Sequence, residues 1–168
     1  MARTPKPSEP EATVPETTAN VEAPVEPVYT RDDYNAVAGS AELAQIILVS
    51  SAFDVKPDYW RCMKERPDSL KHGYDWDLVN YSYSPEQGAA MSNIDFKIDV
   101  RCKRKIVLSV DCSYLVIYSG IKEMNKAAVE AFMRRIGRFA AYPYFRAHVS
   151  QLSWESNTGL PVLPTIRS

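Results

Sequence analysis

From Asn93 to Cys102 apolar and polar residues alternate without a break. Ile94, Phe96, Ile98, Val100 and Cys102 fall on one parity, and Asp95, Lys97, Asp99 and Arg101 on the other. That is the two-residue period of a strand with one covered face. Lys103-Arg104-Lys105 reads as a charged reversal. The run that follows, Ile106–Tyr118, is rich in β-branched and aromatic residues, as a central or heavily covered strand would be. So short a link makes the two strands antiparallel neighbours. Gly120 ends the second, and no glycine-rich phosphate loop or βαβ spacing accompanies them.

Two more strands are expected upstream. Gln45–Val55 is β-like, with Ile47, Val49, Ser51, Phe53 and Val55 on one face, and Pro57 closes it. Tyr74–Tyr83 is a strand whose apolar phase shifts: Tyr74, Trp76 and Leu78 are even-numbered, Val79, Tyr81 and Tyr83 odd. Either a bulge near Leu78-Val79 or a strand apolar on both faces accounts for this. Between them, Asp58–Gly73 has no clean period, although Tyr59, Trp60 and Met63 imply some apolar contact.

Helices flank the strands. Thr30 can cap a helix from about Arg31 into Ala41–Ala44, weakened at Gly39-Ser40, with Asp32 and Asp33 favourable at the positive end of its dipole. Asn125 can cap the first of two C-terminal helices. Val129, Phe132, Met133, Ile136 and Phe139 form its apolar stripe, and Phe145, Val149 and Leu152 that of the second. Pro143 lies between them, so a break is expected near Ala141–Tyr142, with the second helix running from about Pro143 to Trp154. The expected class is therefore α+β: a four-stranded antiparallel sheet with C-terminal helices packed on one face and a short N-terminal helix.

Residues 1–28 differ from the rest. They hold six of the 12 prolines and no aromatic residue, too little apolar surface to offset ordering. The expected division is a disordered Pro/Glu-rich tail, 1–28, and one domain, 29–168. The tail carries Glu9, Glu11, Glu16, Glu22 and Glu26 against Arg3 and Lys6. The remainder is left with 18 basic and 16 acidic residues, against a whole-chain net charge of −1. Such a balance implies neither nucleic acid nor an acidic membrane by bulk charge. No apolar run has membrane-spanning length, and the N-terminus shows no export signal, so a cytoplasmic protein is expected. Cys62, Cys102 and Cys112 lack Cys-x-x-Cys spacing and are expected to be reduced thiols.

Catalytic patterns are absent. His72 and His148 have no metal-spaced partner, Asp75 and Asp77 read as a solvated strand face, and Ser50, Ser51 and Ser150 lack an adjacent base. The expectation is a non-enzyme without cofactor or metal. Arg101, Lys103, Arg104 and Lys105 form a basic hairpin tip that blocks edge pairing. No nucleic-acid motif accompanies it, which argues against that partner. More telling is a surplus of aromatic and flexible apolar residues over what one covered sheet face needs: Tyr59, Trp60, Met63, Tyr74, Trp76 and Trp154, with Leu160 and Leu163. Together they are the candidate wall of a groove for unfolded apolar segments.

The run Gly137-Arg138-Phe139-Ala140-Ala141-Tyr142-Pro143-Tyr144-Phe145-Arg146, then Val149, Leu152 and the exit Gly159-Leu160-Pro161-Val162-Leu163-Pro164, resembles SecB-type protein-export chaperones. It is closest to their toxin–antitoxin-associated branch. Phe53-Asp54 and Ser119-Gly120-Ile121 resemble the ends of that family's first and fourth strands. The resemblance implies an ATP-independent holding chaperone for unfolded or nascent polypeptides, in protein export or client protection. It also implies a homotetramer built as a dimer of dimers, with Tyr142, Phe145, Val149 and Leu152 at the interface. A dedicated chaperone of an antitoxin, or an oligomeric interaction module without chaperone activity, are the alternatives. There are departures. The family's acids on the fourth and first strands fall at Leu115 and Ser50, and its C-terminal continuation is missing after Ser168. Both argue against docking on the translocation motor SecA in the usual manner.

Overall fold

The computed structural model describes residues 28–161 and Leu163. The expected tail, except Val28, and the exit residues Val162 and Pro164 lie outside the described residues. In chain order the elements are α1 (Arg31–Ser40), β1 (Glu42–Val55), α2 (Pro57–Glu65), a 3-10 turn (Pro67–Ser69), β2 (Leu70–Ser84), β3 (Ala89–Cys102), β4 (Lys105–Ser119), α3 (Lys126–Phe132), a π turn (Met133–Gly137) and α4 (Arg138–Glu155). The strands form one antiparallel sheet in the order β1-β4-β3-β2. The expected α+β architecture is present, and β1 and β2 are its two edges.

The β3 alternation sets the layers. Ile94, Phe96, Ile98 and Val100, with Leu108, Val110, Cys112, Tyr114, Val116 and Tyr118 of β4, are buried on the face that α3 and α4 cover. Directly opposed residues of paired strands share a face, so the pairs Trp76–Phe96 and Tyr74–Ile98 place the even residues of β2 on that face too. Phe145 of α4 stacks on Phe96, ring centroids 4.7 Å apart, and Tyr118 meets Phe132 of α3 edge-on at 5.1 Å. These aromatic contacts add to the area they bury.

Local chemistry sets the helix ends. The Thr30 side chain accepts from the Asp33 amide while Asp33 accepts from the Thr30 amide, a full capping box. Asn125 accepts from the amides of Ala127 and Ala128. Gly120 has φ +81°, and a Cβ there would stand 2.3 Å from the Ser40 carbonyl oxygen. Only glycine fits where β4 passes the end of α1.

Four local expectations are corrected. Asp58–Gly73 is not an irregular loop: Pro57 opens α2 at its first turn, where its missing N–H costs nothing. In β1, register slips at Leu43/Gln45 and Leu48/Ser50 shift the apolar phase, so Ile46 and Leu48 share the covered face with Ser51, Phe53 and Val55, and Ile47 does not. The C-terminal helices do not break at Ala141–Tyr142. Pro143 sits inside α4, and the irregularity is the π turn upstream, where Gly137 lets the helix approach Ile94 closely. Cys62 and Cys102 are joined in a disulfide that ties α2 to the end of β3, and Cys112 alone is a free, buried thiol. Their separation of 40 residues hid this pair, because spacing reveals only neighbouring cysteines. In β2, by contrast, the bulge is where the phase shift put it, between Val79 and Ser82, with Asn80 at φ 53°.

Candidate functional site

β2 is an edge strand, so its covered face ends beside open solvent. There the chain leaving α4 folds back over the sheet. The Ser153 hydroxyl, at the last turn of α4, accepts from the Leu160 amide at 2.8 Å. The Tyr59 hydroxyl of α2 donates to the Thr158 carbonyl at 2.6 Å. Both anchors are buried, and they fix the course of the exit, so that Leu160, Pro161 and Leu163 border the sheet edge.

The space left is a groove of about 200 Å³. Ile98 and Val149 make its floor, Tyr74 one wall, and Leu160 with Leu163 the other. Ile98 and Val149 are 4% and 2% exposed, whereas Tyr74 keeps 43% of its surface open. The Tyr74 ring is braced edge-on against Tyr142 at 6.1 Å and lies tilted against Phe145 at 6.3 Å. Burial raises its hydroxyl pKa, with Tyr142 adding to the shift and Arg138 opposing it, so the group stays neutral. A rigid, neutral aromatic wall over an aliphatic floor suits apolar side chains and discriminates little among them.

The groove thus brings together Tyr74, Leu160 and Leu163 of the aromatic and aliphatic set singled out from sequence. Ile98 and Val149 were missed as groove residues: periodicity put Ile98 on the covered face of its strand, Val149 was expected at the subunit interface, and only the exit after α4 makes them the lining of a cavity. The remaining members lie elsewhere. Tyr59 is 2% exposed and serves to anchor the exit. Trp60 and Met63 stand half-open on α2, with Trp60 edge-on to Tyr59. Trp76 lies under the Arg138 guanidinium, 4.6 Å from its ring centroid. Trp154 is 88% exposed on the outer side of α4.

The residues expected between subunits pack within the chain. Tyr142, Phe145 and Val149 are buried against the sheet and Leu152 is half-buried. The outward face of α4 carries Tyr144, Ala147, Gln151 and Trp154, with Pro143, Ser150 and Glu155 also exposed. Apolar surface is also open along the edge strand β1, where Leu43, Leu48 and Val49 are each more than 40% exposed. His148 Nε2 lies 2.8 Å from Ser51 Oγ and fixes α4 against that strand.

The opposite face of the sheet is polar. Asp75 and Asp77 of β2, Asp95 and Asp99 of β3, and Asp111 of β4 project there, with Lys97 3.7 Å from Asp111 and Arg101 3.7 Å from Asp99. Asp75 and Asp77 thus form part of a charged strand face, as their spacing implied. No group of three or more metal-ligating side chains occurs among the described residues. No helix among them is long and apolar enough to cross a membrane.

An open antiparallel sheet of four long strands, with a C-terminal helix laid over one face and a short helix before the first strand, defines a SecB-like fold. Among solved structures the chain is similar to the Rv1957 SecB-like chaperone of Mycobacterium tuberculosis, determined in complex with a ChAD peptide from the Rv1956 HigA1 antitoxin. The TM-score is 0.62 at 19% identity, over 82% of this chain and 96% of that one. A protein of unknown function from Streptococcus agalactiae aligns over 76% of this chain and 97% of its own, with 12% identity and a TM-score of 0.33. No family model matches the chain, and no curated protein matches it.

Proposed function

We propose that this chain is an ATP-independent holding chaperone that binds extended apolar segments of unfolded polypeptides. The observation that carries the reading is the groove of Tyr74, Ile98, Val149, Leu160 and Leu163: apolar, open, and beside an edge strand. A strand edge offers unpaired backbone groups to an extended chain, while the groove takes alternate side chains. The SecB-like fold and the neighbour's bound antitoxin peptide support the same reading, and an antitoxin is a natural candidate for a dedicated client. On this reading the protein is not an enzyme, acts in the cytoplasm, and has its working body from Tyr29 onward.

Self-association belongs to the proposal. A long edge strand with Leu43, Leu48 and Val49 exposed invites pairing unless another chain covers it. A homotetramer in which this strand and the outer side of α4 meet a second copy would cover them. The test of function is aggregation of an unrelated denatured protein, followed by light scattering without nucleotide. Suppression by the native chain, lost in Leu160→Asp with the fold intact by circular dichroism, is expected. Equal suppression by that variant, or none by the native chain, removes the reading.

A further inference from the structure

On the far side of Trp76 from the groove, α1, β2 and the junction of α3 with α4 enclose a second, larger cleft of about 1070 Å³. Its lining is unlike that of the groove. Arg31 of α1 and Arg134, Arg135 and Arg138 of the helix junction converge on it, with Tyr34 and Trp76. Two nearby carboxylates are already engaged, one of them at the cleft's own Arg134. Glu130 pairs with Arg134 at 3.1 Å, and Asp33 closes the Thr30 cap. Arg31 and Arg135 make no ion pair among the described residues. Arg138 is held over Trp76 with Nε buried and lacking an acceptor among them.

Arg31 and Arg135 are exposed and Arg138 is held in place by its stack on Trp76, so the three can offer guanidiniums to an anionic acceptor at the cleft. A guanidinium presents a planar fork that matches a carboxylate. Arg138 lies four residues from Arg134 and three from Arg135, spacings that put all three on one side of the helix. The volume is at the top of the range for small-ligand pockets, which suits a chain segment better than a single ion. A long polyphosphate fits poorly, because Asp75 and Asp77 flank Trp76 on the reverse face of β2 and three free guanidiniums make no continuous track.

We infer that this cleft is a second subsite that binds an acidic stretch of extended polypeptide, with Arg31, Arg135 and Arg138 taking carboxylates and Tyr34 and Trp76 the aliphatic stems. The inference deepens the holding-chaperone reading and rests on it only for the apolar part of the client. The preferred segment is one in which a few Glu or Asp residues adjoin an apolar run, so that both subsites are filled along β2.

The experiment uses the full chain and fluorescence anisotropy with three probes: an oligo-glutamate peptide, a neutral apolar peptide, and the apolar peptide extended by glutamates. Expected are binding of oligo-glutamate that weakens with salt and tighter binding of the extended probe than of the neutral one. Arg135→Gln and Arg138→Lys should each weaken oligo-glutamate binding about ten-fold, as loss of one charge-assisted bond does, and leave the neutral probe unaffected. If oligo-glutamate binds and the apolar peptide does not, the groove reading fails and the cleft stands. Unchanged oligo-glutamate affinity in both variants overturns the cleft, as does tighter binding of single-stranded oligo-dT. Binding that appears only after Glu9, Glu11, Glu16, Glu22 and Glu26 are changed to Gln would assign the cleft to the chain's own N-terminal segment and overturn a partner in trans.

Discussion

Tyr74→Ala should separate client binding from stability in a way that can be calculated beforehand. A tyrosine presents roughly 200 Å² of surface, and 43% of Tyr74 is open in the groove. A client that covers this part removes about 90 Å² from water, worth about 2 kcal/mol at 25 cal/mol per Å². The variant should therefore bind an unfolded client about 30-fold more weakly. The covered part of the ring, against Tyr142 and Phe145, is somewhat larger, and its loss should cost about 2–3 kcal/mol of folding free energy. Leu108→Ala is the control. Leu108 is fully buried and does not line the groove, so that variant should lose about 2–5 kcal/mol of stability and bind normally once corrected for the folded fraction. Urea unfolding gives the first quantity, and anisotropy of a labelled, permanently unfolded polypeptide gives the second. If Tyr74→Ala binds as tightly per folded molecule as the native chain, the groove is not the client site and the surface argument fails.

Reducing the Cys62–Cys102 link, or replacing Cys62 by Ser, opens a loop of 40 residues and should cost about 4 kcal/mol on a loop-entropy account; an unchanged melting temperature with reductant would refute it. Gly120→Ala forces a side chain into a left-handed backbone and onto the Ser40 carbonyl, so a loss of about 2 kcal/mol or more is expected in urea unfolding. Burial pushes the Cys112 thiol pKa up, with Asp111 adding to it and the Ser51 contact opposing it, and alkylation of Cys112 in the native protein should be slow until unfolding exposes it. The amide and hydroxyl of Thr30 hold the Asp33 carboxylate below its ordinary 3.8. Its stabilising effect is therefore present above the unfolded value and lost as pH falls through the lower, folded one. The stability difference between native chain and Asp33→Asn should shrink from about pH 5 to about pH 2, and a difference constant over that range would count against the capping box.

Much of the architecture is a local property and was legible. The β3 period, the reversal at Lys103-Arg104, the caps at Thr30 and Asn125 and the bulge after Val79 depend on neighbours within a few residues. So does the placing of Asp75 and Asp77 opposite Trp76. The short links of the β2-β3-β4 meander then fix an antiparallel sheet. Only the tertiary structure decided that β1 pairs with β4, that Cys62 meets Cys102, and which apolar side chains stay open. Tyr59, Phe145 and Trp154 are all aromatic residues on helices, yet two are buried and one is 88% exposed. Periodicity tells which residues share a face of a helix. What lies against that face is set by contacts between segments far apart in the chain. The groove follows the same rule: Ile98 and Val149 are ordinary core residues until Tyr59 and Ser153 bring Thr158 and Leu160 round to border them.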